Sequence, residues 1–179
     1  MSKERNNLSQ LTLCALLVAL ATVLGMIKFF DLPFGGSITL FSMLAATLCG
    51  YFCGTKKGII AGLALGLLNF VLDPYVLHPV QVLLDYFLAF GALGLSGLTS
   101  NKPHGLVSGY LIGVCGRYLC SFLSGYIFFG AYAPEGWNPL IYSMVYQFFY
   151  IGIEAIVTVI VLMIPVVRNT LVQLKERFC

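Results

Sequence analysis

A chain of 179 residues, 59% hydrophobic and only 9% charged, cannot cover itself with a water-facing surface, for which soluble domains use about 25% charged residues. Its solvent is lipid. A formal net charge of +3, with no basic stretch interleaved with aromatics, excludes a nucleic-acid-binding surface.

A spanning helix needs roughly 20 mainly apolar residues. Six segments meet or approach that length, approximately 8–30, 37–53, 58–72, 80–98, 105–129 and 139–167. Together they predict an all-α integral membrane protein with one six-helix domain over residues 1–179. The first run lacks a convincing small-residue cleavage site and reads as a retained helix rather than a signal peptide. It carries Ala15 and Ala19, four apart, a small-residue spacing that lets another helix approach closely. Asp31-Leu32-Pro33-Phe34-Gly35-Gly36 separates it from the second run, and the two glycines give that loop the freedom of a lid. Gly54-Thr55-Lys56-Lys57-Gly58 comes next, before the third and shortest run, which is expected to be tilted or recessed. Asp73-Pro74 and His78-Pro79 bracket the following turn, and His78-Pro79 reads as a helix start. Asn101-Lys102-Pro103 precedes the fifth run, and the stretch from Ala133 to Pro139 precedes the sixth. The residues after Arg168 read as a short basic extension.

Lysine and arginine set the orientation. Lys3, Arg5, Lys56, Lys57, Lys102, Arg168, Lys175 and Arg177 fall on one side of a six-helix threading. Both termini are therefore expected in the cytoplasm of a cell with this protein in its plasma membrane. Of six cysteines, five sit in apolar runs and read as small packing residues rather than metal ligands or disulfides.

Ionisable side chains inside spans are costly and mark function or an internal pair. Asp85, Arg117 and Glu154 are such groups. Counting along the helices places Arg117 and Glu154 at similar depths, roughly 20 Å below the outer side, and predicts a structural ion pair between them. Asp85 lies only about 8 Å deep, with no cation expected at its level. Ser121, Gln147 and Tyr142 reach the same outer half, and Gln81 is one turn above Asp85 on its face. Aromatics crowd this zone, including Tyr75, Tyr86, Phe129 and Trp137. They suit an interfacial belt, and with an unpaired acid they also suit a pocket for a flat, cationic or amine-bearing ring. No Walker A motif, nucleophile elbow or metal-ligand cluster is present in the sequence, so neither enzyme activity nor a bound cofactor is expected. A stand-alone secondary transporter, with Arg117 and Glu154 as a relay, is a second reading. The chain's small size and the lack of an inverted repeat weigh against it.

The stretch Leu32-Pro33-Phe34-Gly35-Gly36-Ser37-Ile38-Thr39 and the block from His78 to Tyr86 resemble those of thiamine-specific S components (the ThiT/YuaJ family) of energy-coupling factor transporters. So do Arg117-Tyr118, Ser124-Gly125, Phe128-Phe129-Gly130, Ala133-Pro134-Glu135-Gly136 and Ile141-Tyr142-Ser143, in order along nearly the whole chain. The resemblance implies a six-helix bacterial membrane subunit that captures a vitamin on its outer side. Such a subunit works with a transmembrane coupling subunit and two cytoplasmic ATPases, which use the ATP. It implies that Asp85 is the pocket acid, with Tyr86, Tyr75, Gly125, Phe129 and Tyr142 as lining. Phe34 and Trp137 are further candidates to cover the ring. Ala15 and Ala19 match the partner-contacting pair. Ser121 stands where the family usually has histidine and Gln147 where it has asparagine, both at ligand-contacting positions. A related heterocycle, such as a thiamine precursor, a B6 vitamer or a nucleobase, is therefore an alternative ligand.

Overall fold

The computed structural model describes residues 2–31, 36–134 and 136–178. Helix α1 (Ser2–Met26) leads into an antiparallel hairpin, β1 (Lys28–Asp31) and β2 (Ser37–Thr39). There follow α2 (Ser42–Cys53), α3 (Thr55–Leu72), α4 (Pro79–Thr99), α5 (Gly105–Phe128), α6 (Pro139–Met163) and α7 (Pro165–Phe178). Among the described residues, α1 and α3 to α6 are long and apolar enough to cross a membrane. Helix α2, with 12 residues, rises only about 18 Å and is buried along most of its length.

Three departures from the expected helices have local causes. The apolar residues Phe29 and Phe30 continue the first run, yet they lie in a strand in which Lys28 and Phe30 pair with Thr39 and Ile38 of the second run. Short apolar runs do not distinguish strand from helix. The pairing takes the first residues of the second run, which is why α2 is short. At the other end, α6 stops at Met163 because Pro165 lacks an amide hydrogen and pushes Ile164 to an extended ψ of 119°. The expected basic extension then forms a helix of its own, α7.

The two ends of the bundle differ in chemistry. At one end Lys57 Nζ donates to Asn7 Oδ1 (3.0 Å) and Gln10 Oε1 (2.6 Å). There too Lys175 Nζ reaches the Ser100 carbonyl and Asn101 Oδ1. These contacts gather both termini and both lysine-bearing turns. At the opposite end Lys28 pairs with Asp73 at 2.8 Å.

The core runs between these ends, with Cys14, Ala21, Met43, Cys49, Leu65, Leu93, Tyr110 and Leu162 all buried in it. Cys14 and Cys49 are free thiols. Helix α3 presses its glycine face on α4: a Cβ at Gly66 would collide with the Tyr86 carbonyl oxygen, and one at Gly62 with that of Phe90. Each of α4 and α6 contains one wide π turn, at Leu83–Leu88 and Phe148–Gly152. Such a turn holds an extra residue and is frequent at functional sites.

Candidate ligand-binding site

All of α1 to α6, together with the hairpin, contribute to one cavity of about 360 Å³ at the Lys28–Asp73 end of the bundle. That volume falls at the lower end of the range for small-molecule sites, about 300–1,000 Å³. Asp85, Tyr86, Tyr75, Ser121, Gly125, Phe129, Tyr142 and Gln147 line it. Trp137 is half exposed and is not part of the wall, so its expected place over the ring is not found. Phe34 lies outside the described residues.

Asp85 sits in the π turn of α4. Its Oδ2 accepts from Gln81 Nε2 and from Ser124 Oγ, both at 2.7 Å. The Gln81 amide is itself oriented, because its Oε1 accepts the Leu77 N–H at 3.2 Å. Two donors therefore hold one carboxylate oxygen, and no described side chain donates to Oδ1. Among the described residues no lysine or arginine nitrogen lies within ion-pair distance of Asp85. A desolvated carboxylate without a cation is expensive, and a guest carrying a positive or amino group offsets that cost.

Gln147 repeats the pattern. Its Nε2 donates to the Ser121 carbonyl at 3.1 Å, while Oε1 is buried with no partner. The wall thus carries two acceptors without a described partner, Asp85 Oδ1 and the buried Gln147 Oε1, on helices α4 and α6. Aromatic faces complete the wall. Tyr75 stacks on Phe129 with centroids 5.8 Å apart and planes at 22°. Tyr142 lies beside Tyr146 at 6.1 Å. Tyr86 Oη accepts the Tyr75 N–H and donates to the Asp73 carbonyl, each at 2.9 Å. It thereby ties the turn after α3 to the cavity rim. The hairpin closes the opposite side: the Gly36 N–H donates to Tyr146 Oη at 3.1 Å, and a Cβ at Gly36 would strike that oxygen.

The expected Arg117–Glu154 ion pair does not form. Glu154 accepts from Thr39 Oγ1 at 2.6 Å and from the Met43 N–H at 3.1 Å. It anchors the second strand and the start of α2, and is not part of the cavity wall. Arg117 does line the cavity. Its guanidinium lies 4.2 Å above the Phe90 ring, Nη2 donates to Tyr150 Oη at 2.7 Å, and Nε is buried without a partner. Phe90 is five residues beyond Asp85 on α4, so Arg117 forms the floor about 7.5 Å deeper. Counting from helix ends gave the right order of depth, though a larger separation, and missed that one cavity spans both levels. His78, read as a helix start, caps α4 by accepting the Val80 N–H on Nδ1.

A family model described as thiamine transporter protein (Thia_YuaJ) matches residues 11–173. The chain belongs to the thiamine transporter family. A curated member of that thiamine transporter family, "Thiamine transporter ThiT" of Bacillus subtilis (strain 168), is 34% identical over 175 residues, covering 89% of this chain and 91% of the relative. The protein of the same name from Lacticaseibacillus paracasei is 33% identical over 111 residues, half of this chain and 55% of the relative. A solved structure titled "Native-SAD phasing for ThiT from Listeria monocytogenes serovar" superposes with a TM-score of 0.71 at 28% identity, over 87% of this chain and 94% of that one. The fold is thus that of the thiamine transporter family, a multi-pass bacterial membrane protein.

Arg117, Tyr146, Tyr150, Asn69, Ser143 and the Lys28–Asp73 pair are among the wall residues that the sequence did not point to. Ser143 and Gln147 are four apart on α6, and Arg117, Ser121 and Gly125 are spaced four apart on α5. That polar and small stripe on each helix was the available signal.

Proposed function

We propose that this chain is the substrate-capturing S component of an energy-coupling factor transporter, binding thiamine with high affinity from the outer side. The observation that carries the reading is Asp85, held through one oxygen in the cavity wall, with no lysine or arginine nitrogen of the described residues within ion-pair distance. Thiamine is an aminopyrimidine joined to a permanently cationic thiazolium ring. Lys28 and Asp73 of the wall pair with each other, which leaves Asp85 as the lining carboxylate without an ion pair among the described residues. The amino group suits the free acceptors on Asp85 and Gln147, and the tyrosine and phenylalanine faces suit the rings. Ala15 and Ala19 lie exposed on α1, which supports docking to a transmembrane coupling subunit. Two cytoplasmic ATPases would then supply the energy, and this chain would act as a binding subunit rather than an enzyme.

Calorimetric titration of the purified chain with thiamine tests the reading directly. Binding with a one-to-one stoichiometry is expected, and no heat with thiamine at micromolar protein would sink it. Ser121 and Gln147 favour a second reading on the same scaffold, a related aminated heterocycle. Competition by the isolated aminopyrimidine moiety at least as strong as that by thiamine would establish the second reading over the first.

A further inference from the structure

At the opposite end of the bundle a second, open cavity of about 920 Å³ lies between α7, the turn from Thr99 to Gly105, and the end of α2. Helix α7 buries Val167, Leu171 and Leu174 against the core. That leaves Arg168, Val172 and Lys175 as an i, i+4, i+7 stripe along the cavity wall. Lys102 faces them from the turn, and Phe52, Leu106 and Val107 supply apolar wall. The cations outnumber the acid, since Glu176 is the one carboxylate in the wall among the described residues.

The three cations are in different states. Lys175 is engaged by the Ser100 carbonyl, by Asn101 Oδ1 and by the Tyr51 ring, 4.6 Å from its Nζ. Lys102 and Arg168 make no hydrogen bond or ion pair with any described side chain. Two uncommitted cations therefore stand on either side of a partly apolar opening.

We infer that this cavity binds the headgroup of an anionic phospholipid of the cytoplasmic leaflet. The level is right: α2 ends and α5 begins here, among the lysine-bearing turns. Basic pockets between helices on the cytoplasmic side are a recognised way to hold acidic headgroups. A soluble anion needs cations alone. A lipid also needs the apolar wall beside them, which Phe52, Leu106, Val107 and Val172 provide for the first methylenes of its chains. The site is separate from the ligand cavity, so it stands whether or not thiamine is the guest.

The test uses the ligand-free full-length chain in neutral detergent, titrated with dioleoyl phosphatidylglycerol, dioleoyl phosphatidylcholine or inorganic phosphate while thermal unfolding is followed. Phosphatidylglycerol is expected to raise the unfolding midpoint, and the other two to leave it in place. Lys102→Gln and Arg168→Gln each weaken the phosphatidylglycerol response about fivefold, the equivalent of about 1 kcal/mol per surface cation. Both side chains are at least partly solvent-exposed, so each single variant folds. Lys56→Gln, on the same side but outside the cavity, changes nothing. Equal stabilisation by both lipids, an equal loss in Lys56→Gln, or full replacement by inorganic phosphate overturns the assignment.

Discussion

Asp85 offers a guest one oxygen, because Gln81 and Ser124 already occupy the other. The carboxylate is therefore oriented before anything binds, and little ordering remains to be done on association. Asp85→Asn keeps the shape but replaces the charge with an amide that can donate toward the guest. Thiamine affinity is expected to fall at least tenfold, about 1.4 kcal/mol, in the same calorimetric titration; unchanged affinity removes Asp85 from the site. Arg117 and Glu154 show how a residue-level inference goes astray. Both are ionisable groups in mid-span at similar depth, yet each meets neutral partners instead of the other: a tyrosine hydroxyl and two rings for Arg117, whose Nε stays unpaired, and a threonine and a backbone amide for Glu154. Depth along a helix says nothing about azimuth, and azimuth decides which groups meet.

At the scale of elements, the packing of α3 on α4 fixes the turn that carries Asp85. Gly66→Val must displace the Tyr86 carbonyl, one residue from Asp85. Overpacking of this kind costs about 1–3 kcal/mol, so the variant is expected to unfold at lower temperature and to bind ligand more weakly than its stability loss alone explains. Wild-type affinity in a folded Gly66→Val protein would detach the glycine face from the site. The long helices were legible because apolar length is the dominant signal in a membrane. The hairpin was not, since Phe29 and Phe30 extend the apolar run and only the pairing of Lys28 with Thr39 and of Phe30 with Ile38 makes the segment a strand. Neither were the π turns: one extra residue leaves hydropathy unchanged. Asp85, Gln147 and the aromatics were readable as rare polar or flat groups in one outer zone. Trp137 shared that composition, but its exposed position on the loop before α6 depends on a path that composition does not encode.

For the whole molecule, the exposed face of α1 and the ligand cavity lie on different parts of the surface. Ala15→Trp is expected to block assembly with a coupling subunit, read by co-purification, while leaving thiamine binding unchanged; intact transport in that variant argues against α1 as the docking helix. The cavity wall, by contrast, belongs to no single part of the chain, since each of the first six helices contributes to it. Occupancy is then linked to the folding equilibrium of the entire bundle. A thousandfold excess of free ligand over its dissociation constant adds about 4.1 kcal/mol, distributed over every one of those helices. Hydrogen exchange should slow in α1 as much as in α6 on adding thiamine, and protection confined to one helix pair would contradict that linkage.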